Sequence, residues 1–287
     1  MILERVQTRD VWRYSLVAVL IAVIVAAVAV YLPAPVDWRT AFRPAARAML
    51  LTGDPYQVEG FFNPPWTVLP MIPLAFLPEQ IGAALMFVAG LAGFAFAAHR
   101  LGASPIVLGA FILSPPVMHS LLNGNIDWLP LVGFVLPPQI GLFFILIKPQ
   151  MGLAVALFWL VEAWREGGLR EVIRVFGPVG AALALSLALY GLWPLRSSQE
   201  VGLWWNASLW PMSIPIGLAL VAAAVRSRRI EYAMGAAPCL SPYVLLHAWS
   251  GALAAILKHR VEALAAIAGL WLLVAIRAFD TVLTSAP

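Results

Sequence analysis

Asp37, Arg39, Arg43, Arg47, Asp54 and Glu59 all fall within residues 33–63, a polar stretch set between one long apolar run and a series of others. A carboxylate beside spaced guanidinium groups is equipment for moving a group off a phosphate. The acid takes a proton from an acceptor hydroxyl, and arginine forks hold phosphate oxygens. The three arginines recur every fourth residue, which places them on one face of a helix. Plainer roles exist for each. Asp37 also suits a solvated loop or a helix cap, the arginines suit lipid headgroups, and Asp54 inside Gly53-Asp54-Pro55 suits a turn.

Other polar residues interrupt the apolar runs. Lys148, in Lys148-Pro149-Gln150, lies between two of them. A charge at membrane depth is costly and marks a functional site, unless the side chain snorkels to the interface. His119, Asn123, Gly124, Asn125 and Asp127 form a polar knot, with Asn123, Asn125 and Asp127 placed to cap a helix starting near Ile126. His247 follows Ser241-Pro242-Tyr243 within an apolar run, where it serves either packing or the rim of a cavity. Asn206-Ala207-Ser208 is a glycosylation sequon by pattern alone. The four histidines lack metal-ligand spacing. The single Cys239 leaves no internal disulfide and no cysteine-based metal cluster.

These residues are carried by a chain of 287 amino acids that is 62% hydrophobic and 11% charged, with a mean hydropathy of +0.89. A soluble domain of that size could not hide so much apolar surface. A span needs roughly 20 apolar residues, so the length allows about eight to ten passes. The expected architecture is one all-α integral membrane domain over residues 1–287, a polytopic helical bundle with several passes broken by proline. Candidate spans cover 14–32, 64–78, 81–98, 105–117, 128–147 (broken at Pro137-Pro138), 151–163, 175–193, 211–225, 230–240, 244–257 and 261–276. Between Arg100 and Arg165 the parity is met either by one kinked pass through Pro137 or by half-spanning re-entrant helices.

Arg5, Arg9 and Arg13 precede the first run and set the N-terminus in the cytoplasm. The run is too long for a signal peptide and is read as retained. Residues 33–63 are then extracytoplasmic, in a cell (inner) membrane. Trp38, Phe42, Ala45, Ala46, Met49 and Leu50 recur at near-helical spacing there, an amphipathic helix on the membrane surface, with Pro44 kinking or restarting it. Arginines on that face oppose the positive-inside bias, and a phosphate-bearing ligand accounts for them. Residues 164–174 read as a cytoplasmic segment, and Trp193, Trp204, Trp205 and Trp210 as interfacial anchors. The pI of about 9.6 comes from basic residues flanking helices, and no basic stripe with interleaved aromatics points to nucleic acid.

Taken in order, several segments resemble polytopic glycosyltransferases of the GT-C class, and most nearly glycosyltransferase family 87, the polyprenyl-phosphate-mannose-dependent mannosyltransferases. They are Asp37 after the first helix, Ala45-Ala46-Arg47-Ala48, Gly53-Asp54-Pro55-Tyr56, Phe62-Asn63-Pro64-Pro65, residues 73–78, Lys148-Pro149-Gln150, and Ser241-Pro242-Tyr243 with His247. The resemblance implies that Asp37 is the catalytic acid residue of the first outer loop. It implies inverting transfer of a sugar, mannose by this likeness, from a polyprenyl-phosphate donor to a lipid or glycan acceptor on the extracytoplasmic face. No cofactor or metal is expected beyond the lipid-phosphate sugar itself. Arg39, Arg43, Arg47, Asp54, Tyr56, Asn125, Lys148, Tyr243 and His247 are the expected substrate-binding residues. Two features depart from the family. The chain is shorter than typical members, and Asn123-Gly124-Asn125 stands where the family often has Gly-Gln. A second reading is a non-catalytic membrane subunit that keeps the scaffold within a larger complex. A third is a lipid or solute carrier, which lacks the pseudo-repeat many carriers show.

Overall fold

The computed structural model describes residues 8–195 and 206–285. The expected anchors Trp204 and Trp205, and Arg5, lie outside the described residues. The fold is helical, with no strand among the described residues.

Helix α1 (Thr8–Tyr31) stops just before Pro33, and Pro35 keeps the chain extended. A π-helical turn (Trp38–Phe42) follows and feeds α2 (Arg43–Leu51). Pro44 sits in the first turn of α2, where its missing N–H costs nothing, so it restarts the helix after the π turn. The inward face is apolar: Trp38, Phe42, Ala45 and Ala46 are buried.

The apolar run 64–78 forms a 3-10 helix (Pro65–Met71) and α3 (Ile72–Ala75). Its prolines end each piece after a few residues, and together they are far shorter than a span. Helix α4 (Glu79–Arg100) is long and apolar enough for a full crossing, at about 33 Å. Helices α5 (Pro105–Ile112) and α6 (Pro115–Asn123) meet at a bend of 51°.

Residues 128–147 are not a kinked pass. They fold as α7 (Trp128–Phe134) and α8 (Pro138–Ile145), laid side by side. Pro137-Pro138 stops one helix and starts the next. The two backbones touch where both helices carry glycine: a Cβ built on Gly141 would lie 2.5 Å from the Gly133 carbonyl oxygen. Both ends of this hairpin therefore return to the same level, where Lys148 meets Asp127.

Helix α9 (Pro149–Tyr190) is broken by Gly167 (φ −157°, ψ 18°) and Gly168 (φ 59°, ψ −145°). The second glycine adopts a left-handed φ that other residues resist. The chain reverses at this break. Residue 148 at one end of α9 and Tyr190 at the other both lie near Asn63 and Tyr56, since Asn63 bonds the Ile147 carbonyl and the Tyr56 ring packs edge-on to Tyr190. The basic segment expected at 164–174 is thus the turn between two helical legs.

Helices α10 (Ile214–Ser227) and α11 (Ile230–Cys239) form a further hairpin. A 3-10 turn (Leu246–Trp249), α12 (Ser250–Ala254) and α13 (Arg260–Ser285) complete the chain.

Among the described residues α4, α9 and α13 are long and apolar enough to cross a membrane, α9 being folded into two legs at Gly167-Gly168, and α5–α6 adds a further candidate if it counts as one bent span. Most of the other expected passes are shorter helices, because proline and glycine break the apolar runs. One polar end carries Arg165, Arg228, Glu162, Glu231 and Lys258, tied by Arg165–Glu162, Arg228–Glu162 and Lys258–Glu231 ion pairs. Arg100 reaches this end as well, because Gly102 abuts Lys258. The other end carries residues 33–63 and the start of α4.

Candidate functional site

The segment before α2 is seated by one indole. Trp38 is fully buried, its Nε1 donates to the Glu79 carbonyl at 3.3 Å, and its ring fills the slot left by Gly82. A Cβ on Gly82 would stand 2.7 Å from that ring. Fixing Trp38 fixes Asp37 immediately before it.

A second glycine closes the distance to the rest of the site. Gly124 ends α6 in the left-handed conformation (φ 70°). A Cβ there would lie 2.7 Å from Pro35 and 3.2 Å from the Trp38 Cβ. The bare backbone lets the Asp37 segment dock against the α6–α7 connection. Buried Ile126 and Ile147 then pin that connection and the α8–α9 connection into the same apolar core as Trp38. Their polar neighbours Asn125, Asp127 and Lys148 are left to meet one another.

They form a closed ring with His247. Asn125 Nδ2 donates to Asp37 Oδ2 at 2.6 Å and lies 3.1 Å from His247 Nε2. Lys148 Nζ donates to Asn125 Oδ1 and, at 3.0 Å, to Asp127 Oδ1. Asp127 Oδ2 accepts from Ser120 Oγ at 3.0 Å. His247 Nδ1 stands 2.9 Å from the same oxygen, a close pair rather than an aligned hydrogen bond. Asp127 is 0% exposed, His247 1% and Lys148 5%. Burial acts to raise the Asp127 carboxyl pKa, but His247 and Lys148 outweigh it and hold the group below the ordinary carboxylate range. The exposed ring of His119 stacks on His247, 5.4 Å between centroids.

The site residues expected from sequence divide into three groups. Asp37, Asn125, Lys148 and His247 come together. Asp54 and Tyr56 lie behind them as a brace: Asp54 accepts from the Tyr56 backbone N–H at 2.9 Å, Tyr56 Oη donates to the Asn63 carbonyl, and Asn63 Nδ2 donates to the Ile147 carbonyl beside Lys148. Tyr243, half-buried, belongs to the turn closed by Ser241 Oγ that leads into the 3-10 turn. Two of the arginines are engaged elsewhere. Arg43 pairs with Glu79 at 3.3 Å and donates to the Leu77 carbonyl, Arg47 lies over the Phe76 ring, and Arg39 is exposed with no salt bridge among the described residues.

Sequence reasoning missed Asp127 as a site residue, along with Ser120 and His119. Asp127 precedes α7, yet its side chain caps nothing. It is instead the counter-ion of Lys148. The readable signal was a charge of each sign at the two ends of one apolar run.

An apolar cleft of about 270 Å3 opens beside this cluster. It is lined by Val28, Leu32, Ala83, Ala84, Phe87 and Leu121 among others, and Pro35 and Leu121 lead from it toward Asp37 and Ser120. No group of histidine, cysteine, aspartate and glutamate side chains suited to a metal ion occurs among the described residues. Comparison with known protein families, curated proteins and solved structures gives no match to the chain.

Proposed function

We propose that this chain is a membrane glycosyltransferase of the GT-C type, moving a sugar, mannose, from a polyprenyl-phosphate donor to a hydroxyl of a lipid or glycan. The observation that carries this reading is the meeting of Asp37 with Asn125, Lys148 and His247 beside an apolar cleft. Asp37 takes the proton of the acceptor hydroxyl. The acceptor oxygen bonds to the anomeric carbon from the face opposite the phosphate. The bond from that carbon to the phosphate oxygen breaks, and the lipid phosphate leaves with the electron pair, so the configuration inverts.

The cleft suits a prenyl chain, whose methyl and methylene groups need an apolar wall. Lys148 already shares its charge with Asp127, so it orients more than it neutralises. The phosphate charge falls to Arg39, two residues from Asp37 and without a carboxylate partner among the described residues.

The test is transfer from polyprenyl-phosphate mannose in purified membranes, wild type against Asp37→Asn. Transfer that vanishes in the variant supports the enzyme and its base together. Transfer that survives removes Asp37 from that role, and its absence in wild type removes this donor.

A second reading is a non-catalytic subunit of a larger membrane complex. What favours it is that the Asp127–Lys148–Asn125–His247 ring is closed on itself, as a structural keystone would be. Recovery of a stoichiometric membrane partner together with absent transfer supports it.

A further inference from the structure

The Asn125 amide has only one workable orientation. Its nitrogen faces Asp37 Oδ2 and His247 Nε2, and its oxygen faces the Lys148 ammonium and the Ile126 backbone N–H, the latter at 2.7 Å. Turned over, the oxygen would face a carboxylate and the nitrogen would face two donors, so the three contacts whose donor and acceptor roles are fixed would all be repulsive. Both amide hydrogens and both oxygen lone pairs are therefore committed.

That orientation also decides the histidine. A nitrogen that faces an amide donor must present a lone pair, so His247 Nε2 is bare and the ring carries its proton on Nδ1, toward Asp127. The proton pattern diverges from Lys148 and converges on Asp127. Lys148 gives to Asp127 and Asn125, His247 faces Asp127 with Nδ1–H, and Asn125 gives to His247 and Asp37.

We infer that Asn125 is the positioning residue of Asp37, with His247 held as the Nδ1–H tautomer to orient the Asn125 amide rather than to act as a base. Asn125 holds one carboxylate oxygen, Oδ2, and so aims the other, Oδ1, away from the ring as the oxygen that meets a hydroxyl. His247 is unsuited to that task because its only ring lone pair is already taken. This rests on the reading of Asp37 as the base, but the clamp itself is readable without any sugar transfer.

The first measurement is nitrogen NMR of the full-length protein in detergent, labelled with 15N-histidine. His99, His119 and His259 are each replaced by glutamine in turn to assign the His247 signals. The expected wild-type spectrum at neutral pH has a protonated Nδ1 and a bare Nε2 at His247. A protonated Nε2 overturns the inference. The groups facing His247 are Asp127, Asn125 and His119, with Asp37 and Lys148 reached through Asn125. Asn125→Asp keeps the shape but replaces the donor with an acceptor. It is expected to draw a proton onto Nε2. A spectrum unchanged from wild type overturns the clamp.

The second measurement is the kinetics of transfer. Asn125→Leu removes the donor that holds Asp37 Oδ2, so kcat is expected to fall at least tenfold while KM changes little. A variant that keeps the wild-type kcat overturns the positioning role. Should the spectrum be as expected while wild type transfers nothing, the clamp stands and the transferase reading falls. Should transfer depend on Asp37 while the tautomer is reversed, the transferase reading stands and the clamp falls.

Discussion

At the scale of single residues the costs are set by burial. Lys148 and Asp127 are both withdrawn from solvent, and an ion pair there returns little net stability while it is intact. Breaking it is another matter, because one charge is left buried without a partner. Lys148→Met is expected to destabilise the protein by about 3–5 kcal/mol, read as a lowered midpoint of thermal unfolding in detergent. Adding Asp127→Asn should restore much of the loss, and a double variant as unstable as the single one would mean that the ammonium acts mainly through Asn125. The pH dependence follows from the same group. The Asp127 carboxyl is held below its unfolded value, so its contribution is present at neutral pH and is lost as pH falls through and below the ordinary carboxylate range. The acid-induced fall in unfolding midpoint should be shallower in Asp127→Asn than in wild type.

At the scale of elements, glycines decide what meets. Gly141 and Gly133 let α7 and α8 touch, and a methyl group at 141 would strike the Gly133 carbonyl at 2.5 Å and the Trp159 ring at 2.7 Å. Gly141→Ala is expected to cost about 1–3 kcal/mol, seen as a lower unfolding midpoint. Gly109→Ala, within α5 and with open space around it, should not lower the midpoint and is expected to raise it slightly. The sequence showed the apolar character of 128–147 and the break at Pro137-Pro138, but hydropathy has no sign for direction. A hairpin and a kinked pass have the same composition, and only the return of Lys148 to Asp127 tells them apart. Pro44 posed a similar problem: kink and restart share one residue, and the preceding π turn decided it. Asp37 and Lys148 stood out because isolated charges in apolar surroundings are conspicuous. Asp127 did not, because a helix cap explained it equally well. The arginines were legible as a series but not as separate contacts with Glu79 and Phe76, which lie more than twenty residues further along the chain.

At the scale of the whole molecule, charge is sorted to two ends, with α4 running between them over about 33 Å, close to the thickness of a hydrocarbon core. In a Cys239→Ala background, Arg39→Cys and Arg170→Cys are expected to react with a membrane-impermeant thiol reagent from opposite sides of sealed vesicles. Reaction of both from one side would mean that α4 does not cross. The ring described above also has an order in time. Asp127 and Lys148 are 21 residues apart, Asp37 and Asn125 are 88, and Asn125 and His247 are 122. A growing chain can therefore match its buried charges early, while the histidine that completes the circle arrives only after all the other members have been made. Until His247 arrives, Asn125 lacks only the fourth of its neighbours, so the ring closes after its other members are already in place.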